Sequence, residues 1–214
     1  MMFHGLCSMH NLRIVVVNPV AIEGDNDPAF IAQAERSHAL RIGLLEAGYN
    51  IIASLPADLY LPERIAQMQP DMIIIDAESD ARDVLEHVVI ATRDARRAIV
   101  LFTEDEKKSS MEAAMAAGVS AYIVAGLQTA RIKPVLEVAM LRFNQEQKLL
   151  TELSDTKTKL ADRKVIDRAK GLLMERQQLS EQDAYKKLRR LAMDKNLKLS
   201  EVAQRIIDAN DLLG

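Results

Sequence analysis

Five short apolar runs punctuate the first part of the chain, and between each pair the sequence switches to a helical period. Residues 12–17 form a run ended by Asn18 and Pro19, and the proline marks the end of a strand. Residues 29–47 then place Phe30, Ile31, Ala34, Leu40, Leu44 and Leu45 at helical spacing and close on Gly48. The same pattern predicts strands at 49–55, 72–75, 98–102 and 121–124. It predicts helices at 61–68, 81–92 and 109–117, the last ended by Gly118. A chain that alternates in this way is restricted to a parallel sheet with helices on both faces, an α/β, doubly wound architecture.

In such sheets the functional edge lies at the carboxyl ends of the strands, which here are Asn18, Asp76, Thr103 and Ala125. Asp76 follows the all-apolar Met72-Ile73-Ile74-Ile75, so a carboxylate emerges at that edge.

Beyond residue 127 the helical period resumes without a strand to interrupt it, and no Gly or Pro falls between Pro134 and Gly171. Leu136, Met140, Phe143, Gln147 and Leu150 are spaced by four and three, with Leu153 and Leu160 a heptad apart. A stripe so narrow on a helix so long predicts pairing with a second copy, with Leu136, Met140, Phe143, Leu150, Leu153 and Leu160 in the seam. The alternative is a solvated linker helix. Two further helices follow. Ser180 with Asp183 approximates a capping box ahead of Ala184, Leu188 and Leu191. Asn196 ends that unit, and Leu199, Val202, Ala203, Ile206, Ile207 and Leu213 form the last stripe.

Charge divides at the same place. From Thr151 onward there are 14 Lys plus Arg against 11 Asp plus Glu, leaving 14 against 20 before it, so a net −3 hides an acidic first part and a basic tail. That asymmetry is compatible with a nucleic-acid partner. The single cysteine, Cys7, excludes disulfides within the chain and any Cys-based zinc site. Residues 1–10 are read as a disordered leader without a role. No apolar run approaches the length of a membrane span, so a cytoplasmic protein without a membrane partner is expected. His38 and His87 fall within helices and have no Ser, Cys or acidic partner at a telling spacing. No phosphate-binding glycine loop appears, so neither catalysis nor a cofactor nor a metal is expected.

The strand order, Asp76 and Thr103 ending Val100-Leu101-Phe102 resemble a CheY-like receiver domain, over about residues 12–135. The resemblance implies a phosphoacceptor position at Asp76. Phosphoryl transfer there needs a divalent cation held by several carboxylates, and a lysine to balance the new charge. This chain has Asn18-Pro19 where acids are expected and Ala125 where the lysine is expected, while Glu23 and Asp25 sit in a longer first loop at 23–28. A structural carboxylate in a degenerate pocket is the expectation for Asp76.

In the tail, Val165-Ile166-Asp167-Arg168-Ala169-Lys170-Gly171-Leu172-Leu173-Met174-Glu175-Arg176, then Ser180 to Tyr185, Leu188-Arg189-Arg190-Leu191-Ala192, and Leu199 with Val202-Ala203 closely resemble the ANTAR domain. The resemblance implies three helices, the first continuing a coiled coil, and binding to RNA hairpins with six-nucleotide loops. Ala169, Lys170, Tyr185, Arg189, Arg190, Lys195 and Lys198 are the expected RNA contacts, the cations for phosphate and the tyrosine ring for an unpaired base.

The pairing of the two halves, with Asp76-Ala77-Glu78-Ser79, Gly118 to Val124 and the final Leu212-Leu213-Gly214, resembles the NasT-type family of nitrate-responsive antiterminators. That implies binding of tandem leader-mRNA hairpins, prevention of termination at nitrate or nitrite assimilation genes, a NasS-like nitrate sensor as protein partner, and an active homodimer. The expected domains are 11–126, a signalling helix at 127–160, and an RNA-binding domain at 161–214. The rival readings are a phosphorylation-driven response regulator using Asp76, and a protein-interaction or DNA-binding module.

Overall fold

The computed structural model describes residues 12–18, 28–76, 81–124 and 129–213. The leader with Cys7, the 23–28 loop up to Asp27, the segment 77–80 and Ala125 lie outside them. The element order is β1 (Arg13–Asn18), α1 (Pro28–Glu46), β2 (Asn50–Pro56), α2 (Leu61–Met68), β3 (Met72–Asp76) and α3 (Ala81–Ala91). It continues with β4 (Ala98–Thr103), α4 (Lys108–Ala116), β5 (Ala121–Val124), α5 (Thr129–Gln177), α6 (Glu181–Lys195) and α7 (Leu199–Leu213). The chain divides into two compact units between Glu146 and Gln147.

In the first unit all five strands are parallel, in the order β2-β1-β3-β4-β5. This is the CheY-like doubly wound order, whose direction reverses between β1 and β3. The apolar runs are continuous because alternate residues serve two cores. Val15, Val17, Ile73, Ile75, Ile99 and Leu101 face α2, α3 and α4 through Leu61, Ile65, Val84, Val88 and Ala114. Ile14, Val16, Met72, Ile74, Val100 and Phe102 face α1 and the start of α5 through Leu40, Leu44, Ile132, Leu136 and Ala139. Gly48 and Gly118 close α1 and α4 at φ 84° and 98°, a region costly for any side chain.

Leu136 corrects the sequence reading. It is fully buried in the second core, so it is a sheet-covering residue and not part of a seam between copies. Met140 and Phe143 are half-buried against the same cluster. Spacing by three and four describes a helix lying on a sheet as well as one lying on another helix, which is why the sequence could not separate the two. Further along α5, Leu150, Leu153 and Leu160 are exposed.

The second unit is built on the end of α5 with α6 and α7. Its core is small: Ala169 and Leu173 from α5, Ala184, Leu188 and Ala192 from α6, and Val202, Ala203 and Ile207 from α7. Ala169, Ala184 and Ala203, one from each helix, have no exposed surface, and the absence of longer side chains there lets the three backbones approach. Ser180 caps α6 by accepting from the Asp183 amide at 3.2 Å and donates to its carboxylate at 2.7 Å. Asn196 ends the helix in the left-handed conformation, φ 51°. The Glu201 carboxylate caps the start of α7 by accepting from the Lys198 amide at 3.1 Å.

Candidate nucleic-acid interface and the sheet-edge carboxylate

At the carboxyl edge of the sheet, Asp76 and Thr103 are both buried. The register pairs Asp76 with Phe102, which sets Asp76 beside the end of β4 and one residue short of Thr103. Asp76 accepts a 2.5 Å hydrogen bond from the hydroxyl of Ser37, itself buried, on α1. Arg36, the preceding residue on that helix, pairs with Glu104 at 3.6 Å. Thr103 turns away to serve the loop after β4, where its hydroxyl oxygen accepts from the Asp105 amide at 3.2 Å. The loop is fixed further by the Tyr122 hydroxyl, which donates to the Asp105 carbonyl at 2.8 Å. A hydrogen bond from Ser110, and then one from the Lys107 amide, hold the Asp105 carboxyl below its ordinary range.

Among the described residues, the buried carboxylate of this edge is that of Asp76, and the Ser37 hydroxyl engages it. Among the described residues no three His, Cys, Asp or Glu side chains gather as metal ligands. Ser37 escaped the sequence reading, although a signal was present: with Leu40 and Leu44 it occupies the stripe of α1 that faces the sheet, an unusual place for a hydroxyl without a partner.

The tail residues sort into three groups. Ala169 was expected to touch RNA and does not reach the surface; it is one of the three alanines at the helix crossing, where any contact with a ligand is excluded by burial. Lys170 is largely covered, and its ammonium lies 2.8 Å from Asp167 Oδ1 and 2.8 Å from Glu181 Oε1. Those two hydrogen bonds, Asp167 first, raise its pKa, and the bond to Lys170 lowers that of Asp167. The expected free cation is in the unbound protein a tie between α5 and α6.

The third group is brought together. Tyr185, Arg189 and Met193 follow one another at intervals of four on α6, one residue beyond the buried Ala184, Leu188 and Ala192. They line an open cleft of about 400 Å³ with Ala192, Asn196, Leu197 and Leu199. Tyr185 is 44% exposed and Met193 72%, an aromatic ring and a polarizable thioether available beside a guanidinium. Lys195 and Lys198 stand exposed at the same end of α6, and among the described residues no ion pair engages Arg189, Lys195 or Lys198. Arg190 has only a long 3.9 Å pair with Asp194, with both side chains well exposed. Met193, Asn196, Leu197 and Leu199 were not anticipated, since the pattern of α6 gives no sign that its far end and the α7 entry leave a gap. Physically the arrangement offers a flat face for stacking, donors for phosphate and a shallow apolar floor.

Comparison with known proteins bears on both units. The sequence signature of the ANTAR domain matches residues 154–207. The transcriptional regulatory protein PdtaR of Mycobacterium tuberculosis is 29% identical over 165 residues, covering 77% of this chain and 80% of that protein. The nitrate regulatory protein of Klebsiella oxytoca is 34% identical over 80 residues, which span 37% of this chain and 20% of that protein. Among solved structures, the signal receiver domain of a modulated diguanylate cyclase from Desulfovibrio desulfuricans is similar at TM-score 0.46 and 15% identity, covering 63% of this chain and 98% of that one.

Proposed function

From a receiver-like domain joined to an ANTAR domain, we propose that this chain regulates transcription by binding hairpins in a nascent leader RNA and preventing a terminator from forming. The observation that carries the reading is the Tyr185–Arg189 cleft, which lies inside the segment matching ANTAR and joins a stacking face to unpaired cations. An unpaired loop base fits the ring, and the flanking Lys195 and Lys198 suit the phosphates on either side. The tandem arrangement of six-nucleotide loops is the RNA form we assign to it.

The exposed Leu150, Leu153 and Leu160 support a homodimer in which two copies of α5 pair and present two such clefts to two hairpins. For the first unit we propose docking of a nitrate-responsive sensor of the NasS kind. Support for nitrate comes from the Klebsiella oxytoca regulator. Support for a protein signal over a phosphoryl one comes from Ser37, whose hydroxyl already engages Asp76.

The test is binding of the full chain to a hairpin library with randomised six-nucleotide loops, singly and in tandem, at several salt concentrations. Selection of a defined loop, with affinity falling steeply with salt, is expected. Equal affinity for paired stems of any loop would overturn it.

A further inference from the structure

Glu181 heads the stripe that carries the cleft. It precedes Tyr185 by four residues, and Tyr185, Arg189 and Met193 continue at the same interval, so all four side chains lie along one side of α6. A carboxylate there is out of place on a surface for a polyanion, because it repels phosphate. Its charge is balanced in the unbound protein by Lys170, 2.8 Å away across the α5–α6 contact. The lysine side chain is 15% exposed, while that of Glu181 is 69% exposed and free to swing outward. Once released, Glu181 remains in the first turn of α6, where the helix N-terminus favours a negative charge. Lys170 keeps Asp167 as a fixed second partner on its own helix, which holds the ammonium in place when Glu181 leaves.

We propose that Glu181 is a built-in competitor for the RNA: it occupies Lys170 in the unbound protein, and an RNA phosphate takes its place on binding. The inference rests on the RNA-binding reading above. Lys170 is thereby a phosphate contact whose availability is set from within the protein, and the binding constant is lowered by the cost of parting the pair. A ligand that lacks phosphate at this end of the stripe gains nothing from Lys170.

A double-mutant cycle on the full chain tests this, with the same six-nucleotide-loop hairpin library as the probe and thermal melts as the check on folding. Exchange of an exposed ion-pair partner predicts that Glu181→Gln tightens binding by about two- to fivefold. Lys170→Met weakens it, and in that background Glu181→Gln has no further effect. Should Lys170→Met lower the melting temperature, Lys170→Gln replaces it, keeping hydrogen-bond donors toward Asp167 and Glu181 without the charge. Weaker or unchanged binding by Glu181→Gln overturns the proposal and makes the pair a structural clasp. Equal tightening with and without Lys170 also overturns it, by reducing Glu181 to general repulsion. If the unmodified chain selects no loop, the RNA-binding reading itself fails, an outcome separate from either.

Discussion

The Ser37 hydroxyl of α1 donates to the Asp76 carboxylate of β3 at 2.5 Å, and both residues are buried. A phosphoacceptor must offer its oxygen to an incoming phosphoryl group together with a cation, whereas here α1 supplies a neutral donor to that oxygen. Incubating the full chain with a small phosphodonor and magnesium is therefore expected to give no Asp76-dependent gain of phosphoryl mass. Ser37→Ala should lower the stability of the first unit by about 1–2 kcal/mol, the usual loss of a buried hydrogen bond. A stable phosphoryl adduct absent from Asp76→Asn would reverse this view of the pocket.

Leucines on α5 separate into two roles. Leu136→Ala removes a fully buried side chain and should cost about 2–5 kcal/mol in the first unit, measured by urea denaturation, without affecting self-association. Leu153→Lys combined with Leu160→Lys acts on exposed positions and should leave stability nearly unchanged while reducing self-association in sedimentation. A dimer indifferent to the double change would remove the proposed pairing along α5.

In the cleft, Tyr185→Ala should weaken loop-specific RNA binding by about 5- to 150-fold, the range for losing one base stacked on an aromatic ring, while Tyr185→Phe keeps the face and most of the affinity. Arg189→Gln should reduce the slope of log affinity against log salt by about one, as the loss of one phosphate contact requires. An equal loss for Phe and Ala at Tyr185 would argue that its hydroxyl, and not its ring, meets the RNA.

Neighbouring small residues in the tail should respond oppositely. Ala169→Leu forces extra volume into the helix crossing and is expected to destabilise the second unit by about 1–3 kcal/mol. Gly171 faces open space, with no atom within 4 Å of an added Cβ. Gly171→Ala should thus stabilise α5 by about 1 kcal/mol through helix propensity alone. If Gly171→Ala nonetheless weakens RNA binding, the bare backbone there is a point of close RNA approach.

Acid should loosen the second unit. The Ser180 hydroxyl lowers the pKa of Asp183, and Lys170 lowers that of Asp167. A carboxyl depressed in the folded state stabilises above its unfolded value, about 3.9, and that contribution disappears as pH falls through the folded pKa. Lys170 is shifted upward, so its contribution is complete below its unfolded value of about 10.4 and fades only as pH rises through the higher folded one. Melting temperature should accordingly hold level between these limits and fall at either end. Asp183→Asn should flatten the acid limb, which melts followed by circular dichroism between pH 2 and 5, roughly the carboxylate range, would reveal.

The sheet was legible because its three central strands are buried on both faces, and continuous apolar runs such as 72–75 and 98–102 have few other uses. Helix ends were legible where chemistry marks them, at Gly48, Gly118, Ser180 and Asn196. Partnership was not. Leu136 and Leu153 belong to one spacing pattern, yet one lies in a core and the other in water. Lys170 reads as a free cation until Glu181, 11 positions away, is brought to it by the turn between α5 and α6. Ala169 reads as an RNA contact from the motif, and the three-alanine crossing makes it a packing residue. Ser37 needed Asp76 beside it before its hydroxyl acquired meaning.

The one-residue offset on α6 between Ala184, Leu188, Ala192 and Tyr185, Arg189, Met193 makes its rotational setting self-enforcing. A turn of about 100° would carry Tyr185 and Met193 into spaces sized for alanine and the charge of Arg189 into that of Leu188. The alanines thus act as a key that admits a single orientation of the helix, and whatever chemistry is written at 185, 189 and 193 is displayed outward because of them. Side chains at those outer positions can be exchanged for others without retuning the interior, so recognition can be rewritten on an unaltered frame.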